Sequence, residues 1–252
     1  MSSWTIAAAQ SGSRPGDIAW NIQHHLDFIQ QAALHGADLL MFPELSLTGY
    51  ELPLMADLAL SLDDSRLHPF AHAARQHQMG ISIGLPLKTD DNVRLSALTF
   101  LPDGTRIAYS KRNLFGPEKA IFTAGDTVPM FGYQHHQVAL AICADISVEA
   151  YARDASRRGA DLYATSVLVS EQGYETDCGY LARWSRDYQM AIIMANHAWP
   201  TGGYQCAGKS AFWDQNGRQI VRGGEGEQLI VAQRNGNHWQ GETHSLPCPP
   251  VL

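Results

Sequence analysis

Residues 137–168 read QVALAICADISVEAYARDASRRGADLYATSVL, a strand, a helix and a second strand in succession. Gln137–Ile142 is an apolar run of strand length that passes directly into Cys143. Val148, Tyr151, Ala152 and Ala155 then recur at helical spacing. Arg157 and Arg158 sit where a helix's negative end favours cations, and Gly159 supplies the stop. Leu162–Leu168 resumes as a buried strand. The words Gly159-Ala160-Asp161-Leu162 repeat Gly36-Ala37-Asp38-Leu39, and each follows a helical segment and opens a strand. The repetition predicts two related halves.

Outward from this unit the pattern continues. Trp4–Gln10 reads as a strand before a Ser-Gly-Ser-Arg-Pro-Gly turn cluster. Ile22, Leu26, Ile29 and Ala33 mark a helix capped by Asp17 or Asn21 and closed by Gly36. Leu39–Phe42 is a short strand, Arg66–Met79 a helix stopped by Gly80, and Ile81–Leu87 a strand. Ser96–Leu101 and Arg106–Leu114 flank Pro-Asp-Gly-Thr, whose turn chemistry predicts a hairpin. Phe115–Pro129 is a loop, Gly179–Met190 a helix and Ala191–His197 a strand. Hairpin strands come next at Ser210–Trp213, Arg218–Val221 and Leu229–Ala232, and residues from about 233 to 252 read as an extended C-terminal arm. Helices between strands, with hairpins in the middle and at the end, predict an α/β fold: one αββα sandwich over residues 1–252 with a mixed two-sheet core.

At 252 residues the chain is long enough to bury roughly 70–75% of its unfolded surface, so neither metal nor disulfide staples are expected. Eighteen basic against 25 acidic residues give a net charge of −7, and no dense Lys/Arg run is present, which argues against nucleic acid as a partner. The longest apolar run, Val138–Ala144, is far short of the ~20 residues of a membrane span, and the start shows no secretory signal pattern. A cytoplasmic protein with no membrane association is expected. Cys143, Cys178, Cys206 and Cys248 show no CxxC spacing, and no Gly-x-Gly-x-x-Gly or Walker loop is present, so no metal and no cofactor are expected.

Three residues invite chemistry. Cys143 stands where a strand gives way to a helix, so backbone N–H groups and the helix dipole there favour a thiolate. A lone cysteine is nevertheless more often a buried small hydrophobe. Glu44 ends a strand in Phe42-Pro43-Glu44, either exposed in a turn or aimed into a pocket. Lys111, on one strand face with Tyr109 and Asn113, reads more readily, taken alone, as a solvated lysine. Together the three complement one another. An ammonium and a helix terminus lower a thiol's pKa, a carboxylate takes the proton, and attack on an amide carbonyl yields an oxyanion that Lys111 and the backbone N–H of Ala144 would hold.

The surrounding words, FPELSLTGY at 42–50, YSKRNLF at 109–115 and ICADISVEAYARDASRRGADL at 142–162, resemble those of the nitrilase superfamily of carbon–nitrogen hydrolases in the right order. GKSAFWDQNGR at 208–218 resembles that family's late Gly-x-Ser hairpin. The resemblance implies a nitrilase-like fold, Glu44 as general base, Lys111 as oxyanion cation, Cys143 as nucleophile and Glu118 as the second glutamate beside them. It also implies a homodimer, and a small amide as substrate, with a nitrile or carbamoyl-amine, or a non-catalytic binding subunit, as alternatives. The sequence departs from the commoner pattern after the nucleophile, where Ala144 and Ser147-Val148-Glu149 stand in place of an aromatic residue and Phe-Pro-Glu. Asp145 and Glu149 are read as ordering the turn or the helix start. Tyr50, Phe115, Val167, Leu168 and His197 are candidate pocket residues, and Trp184, Trp199 and Tyr174 are weighed as acyl-pocket walls against the core. The adjacent pairs His24-His25 and His135-His136 point to different faces and read as surface residues.

Overall fold

The computed structural model describes residues 3–89, 91–236 and 238–246. Two sheets stack face to face with helices on both outer sides. The first has seven strands in the order β13-β12-β1-β2-β3-β4-β5, the second six in the order β11-β10-β9-β8-β7-β6. In the first sheet β1 (Trp4–Gln10), β2 (Leu39–Met41) and β3 (Gly80–Lys88) are parallel. The hairpin strands β4 (Val93–Phe100) and β5 (Arg106–Ser110) run antiparallel beside β3. In the second, β7 (His136–Ile142), β8 (Leu162–Val167) and β9 (Ala191–Asn196) are parallel. They are flanked by β6 (Met130–Tyr133), β10 (Ala211–Trp213) and β11 (Gln219–Arg222).

Strand alternation sorts the core into three layers. Ile6, Ala8, Leu39 and Met41 of the first sheet meet Val138, Leu140, Ile142 and Ile193 of the second between the sheets. Ala7, Ala9, Leu40 and Phe42 face outward onto α1 (Ile18–Leu34) and α3 (His68–His77). Ala139, Ala141 and Ile192 face outward onto α4 (Glu149–Arg157) and α5 (Tyr174–Tyr188). Both faces of the central strands are therefore dry, which is why they read as continuous apolar runs. A short helix, α2 (Met55–Leu58), lies in the connection between β2 and α3. No helix among the described residues is long and apolar enough to cross a membrane.

The repeated Gly-Ala-Asp-Leu words do the same work in each half. Gly36 and Gly159 take φ of +67° and +87° after α1 and α4, a conformation suited to glycine. Asp38 Oδ2 accepts from Thr5 N at 2.7 Å, and Asp161 Oδ2 accepts from Gln137 N at 2.8 Å. Each aspartate thus ties its own strand to the neighbouring parallel one, in register.

Several boundaries differ from the sequence reading. α3 stops at Gln78, in the left-handed conformation at φ +52°, and Gly80 opens β3. β5 ends at Ser110, which frees the next residues for the site. The supposed arm begins as strand: β12 (Gln228–Asn235) pairs with β1, and β13 (His238–Ser245) pairs with β12 along its whole length as the sheet edge. β13 buries only Trp239, so its polar sequence HWQGETHS carries no strand signature. Residues 247–252, the rest of the arm, and Cys248 with them, lie outside the described residues. His24 and His25 are buried, His24 against Glu227 and His25 against Asn21 O and Ser46 Oγ, rather than on the surface.

Candidate active site

The C-terminal ends of β2, β5, β7 and β8 come together at one edge of the sandwich, where open α/β sheets commonly place their ligands. After β2, the turn carrying Glu44 presses on β3. A Cβ on Gly84 would overlap the Pro43 carbonyl oxygen and Leu45 N, so only glycine fits beneath. Leu45 completes the turn at φ +50°. Ser166 Oγ, from β8, donates to Phe42 O at 2.8 Å and ties the turn to the second sheet. His197 Nε2 donates to Glu44 O at 2.6 Å. Burial pushes the His197 pKa down to about 4, so the ring is a neutral Nε2–H tautomer.

Lys111 comes directly after β5 and is fully buried. Its Nζ donates to Glu44 Oε1 at 2.6 Å and to Glu118 Oε1 at 2.7 Å. Glu118 is met by two further donors, Tyr50 OH to its Oε1 at 2.7 Å and Phe115 N to its Oε2 at 2.7 Å. Glu44 Oε2 is buried without a hydrogen-bond partner among the described residues. Burial raises the Glu44 pKa to about 7; Lys111 opposes the shift, Glu118 adds to it, and the neighbouring Cys143 thiol favours the ionised carboxylate. Burial works against the Lys111 ammonium, but Glu44, Cys143 and Glu118 outweigh it and hold the pKa above the usual lysine value.

Cys143 comes at the end of β7 with φ +43°, and its Sγ lies 3.5 Å from Leu168 O. It opens a five-residue 3₁₀ turn, Cys143–Ser147, and α4 begins only at Glu149. The expected thiolate-favouring helix terminus is therefore absent. Burial and then the Glu44 carboxylate raise the Cys143 pKa well above its usual value, against the pull of Lys111, and the resting sulfur is a thiol. Asp145 orders this turn, as read from the sequence. Its Oδ2 accepts from Ile142 N at 3.0 Å and Tyr109 OH at 2.7 Å, and its Oδ1 accepts from Asn113 N at 2.7 Å and Arg112 N at 3.2 Å. Asn113 Nδ2 donates to Ala144 O at 2.8 Å. One carboxylate thus clamps the lysine segment to the cysteine turn across the two sheets. Glu149 accepts from Tyr188 OH at 2.6 Å and links α4 to α5.

A cavity of about 260 Å³ opens onto these groups. Of the candidate pocket residues, Tyr50, Phe115 and Leu168 line it, as do Ala144, Cys143 and both glutamates. Val167 and His197 do not. Val167 packs outward against the α4–α5 layer, because strand alternation turns it away from Leu168. His197 lies fully buried with its Nε2 committed to the Glu44 carbonyl. Nor do the weighed aromatic residues form walls: Trp184 Nε1 donates to Ile146 O from behind the 3₁₀ turn, Tyr174 OH donates to Lys209 O, and Trp199 lies near Trp20 and His24. Ser170, Gly173, Asp177 and Tyr204 also line the cavity. They come from the segment after β8, the start of α5 and a loop after β9, positions that periodicity does not single out.

Outside the site, His35, Glu242 and His244 bring ligand atoms within 4.8 Å of one another at the end of α1 and on β13. The two rings stack at 3.6 Å, with an interplanar angle of 22°, so their nitrogen lone pairs run side by side rather than converging.

Comparison with known proteins agrees with the geometry. The chain is 26% identical to an (R)-stereoselective amidase of Pseudomonas sp. over 90% of its own length and 84% of the relative's. It is 25% identical to the 2-oxoglutaramate amidase of Bacillus subtilis, over 91% of its own length and 90% of that protein's. The solved structure of the NitN amidase from Nesterenkonia sp. AN1 matches with a TM-score of 0.83 at 26% identity, covering 90% of this chain and 91% of that one. The pattern of the family described as carbon-nitrogen hydrolase matches residues 5–241, so the chain belongs to the carbon–nitrogen hydrolase family.

Proposed function

We propose that this protein is a thiol amidohydrolase that cleaves the C–N bond of a small carboxamide through a Cys143 thioester, releasing ammonia and then a carboxylic acid. One observation carries the reading: a buried carboxylate with a spare oxygen and a thiol line a single small cavity, and a buried ammonium is bound to that carboxylate behind the cavity wall, although the three come from separate strand ends. A solved structure of the similar Nesterenkonia amidase carries the acetamide moiety of fluoroacetamide covalently on its active-site cysteine, and the same chemistry is assigned here to Cys143.

Attack begins from the thiol. As Sγ bonds to the carbonyl carbon, its proton passes to Glu44 Oε2, which its raised pKa makes an adequate base near neutrality. The C=O π pair moves to oxygen. Lys111 has two N–H groups committed to carboxylates, and the third meets this oxyanion together with the Ala144 N–H. Such preorganised donors are worth about 3–4 kcal/mol each. Collapse breaks the C–N bond, and Glu44 returns its proton to the leaving nitrogen as ammonia departs. Water then adds to the thioester while Glu44 takes its proton, and the second collapse breaks the C–S bond, Glu44 reprotonating the sulfur. Glu118, itself held by Tyr50 OH and Phe115 N, holds Lys111 in place.

The reading extends to a homodimer working in the cytoplasm, supported by the family resemblance and tested by light scattering and by fractionation. Ammonia release from a panel of amides, nitriles and carbamoyl compounds tests the activity itself. Amides are expected to be hydrolysed, with loss of turnover on stoichiometric alkylation of Cys143; an inert panel with an unreactive Cys143 would favour a binding subunit.

A further inference from the structure

Asp177 lies in the first turns of α5 and lines the same cavity as Cys143. Its carboxylate differs from the other two in that cavity. Glu118 is met by three donors and Glu44 by the Lys111 ammonium, whereas burial is the sole influence on Asp177, with no donor or cation among the described residues to offset it. Helix polarity does not account for its direction, because Glu175 in the same turn already supplies negative charge while facing solvent. Gly173 lies close to Asp177 and lines the cavity with it; a Cβ built on Gly173 would stand in van der Waals contact with Asp177 Oδ2, at 3.6 Å. The rest of the cavity has matching character. Its wall includes the rings of Tyr50, Phe115 and Tyr204 and, among the described residues, contains no Lys or Arg. Aromatic faces and an unpaired carboxylate both attract cations, and both disfavour a second anion.

We infer that Asp177 receives a positively charged group of the substrate, so that the preferred substrates are carboxamides bearing a protonated amine rather than a carboxylate. The inference rests on the amidase reading and adds the substrate class to it. The amide carbon sits at Cys143, and the ammonium, a few bonds away along the chain, pairs with Asp177 between the aromatic rings.

A matched series tests it in the full-length protein. ω-Amino amides of three to six carbons are compared with alkyl amides of the same heavy-atom count, so that β-alaninamide is set against butanamide, and with the corresponding ω-carboxy amides. In kcat/KM, the amino member is expected to exceed its alkyl match by roughly tenfold or more at one chain length at least, as for a charge-assisted hydrogen bond. The carboxy member is expected to be poorest. Asp177→Asn keeps the shape and is expected to bring the amino-to-alkyl ratio close to one. Equal rates for amino and alkyl members at every length, or a ratio untouched by Asp177→Asn, would overturn the inference while leaving the amidase intact. If no amide is turned over, the amidase reading fails, and protection of Cys143 from iodoacetamide decides this inference separately. Stronger protection by amino than by alkyl amides, lost in Asp177→Asn, upholds it; equal protection refutes it.

Discussion

Replacing Glu118 with glutamine tests how the buried charges are balanced. Its oxygen and that of Glu44 bracket Lys111 Nζ at 2.7 and 2.6 Å, so the two carboxylates are at most about 5 Å apart. At an effective dielectric constant of about 20, such a pair repels by roughly 3 kcal/mol, or about two pK units. Removing the Glu118 charge therefore lowers the Glu44 pKa from about 7, and Lys111, no longer shared, lowers it further. In the proposed mechanism Glu44 is the base and acts when ionised, so the acid limb of kcat/KM is expected near pH 7 in the wild type and about two units or more lower in Glu118→Gln. The amide also turns an N–H toward Phe115 N or toward Tyr50 and Lys111, a buried donor mismatch costing about 1–3 kcal/mol in stability. Ammonia release measured from pH 5 to 9 at substrate concentrations well below KM reads the limb. Glu118→Asp, which keeps the charge, serves as the control. A limb that stays in place or moves upward in Glu118→Gln would refute the assignment of Glu44 as the titrating base.

The same geometry sets the outcome of other substitutions. Gly84→Ala forces a Cβ against the Glu44 turn and is expected to destabilise the fold by about 2–3 kcal/mol and lower kcat more than it raises KM, read by urea titration and steady-state kinetics. Asp145→Asn can satisfy only part of the four-donor cluster and is expected to cost about 1–3 kcal/mol in stability and roughly tenfold or more in kcat; unchanged activity would remove Asp145 from any positioning role. The His197 pKa is lowered from 6.5 to about 4, so as pH falls the unfolded chain takes up this proton before the folded one does. The stabilisation is present above pH 6.5 and lost as pH drops toward 4, a change of roughly 3 kcal/mol. His197→Gln, which can still donate to the Glu44 carbonyl, is expected to flatten that part of the pH–stability curve, and a difference between wild type and variant that does not vary with pH would contradict it.

Much of this architecture was legible because the central strands are buried on both faces and their apolar runs are interrupted at the sheet edge by residues that chemistry uses. Glu44 and Cys143 each stand at such an interruption, whereas Lys111 follows the half-buried edge strand β5 and was marked only by its surrounding words; the doubled Gly-Ala-Asp-Leu word marks the two matching half-sheets. What escaped reading has physical causes. β13 is held by backbone hydrogen bonds to β12 and needs no side-chain pattern. β6 is only four residues long and pairs on one side only. His197 stands at a strand end beside the site, yet its role is to hold the Glu44 carbonyl from beneath, a distinction that depends on which way one side chain turns. The resting thiol reverses the expectation drawn from a helix terminus, because burial depends on the packing of both sheets and outweighs a single 3₁₀ turn. Asp177 and Tyr204 reach the cavity from segments whose sequence shows nothing but a helix start and a loop.

Acid-quenched mass spectrometry of the enzyme mixed with an amide substrate addresses the covalent step directly. An added mass equal to the substrate less ammonia is predicted, mapped to the peptide containing Cys143 and absent in Cys143→Ser, a variant expected to fold normally and to lose turnover. Turnover that persists in Cys143→Ser, or an acyl group mapped to Cys178 or Cys206, would contradict it.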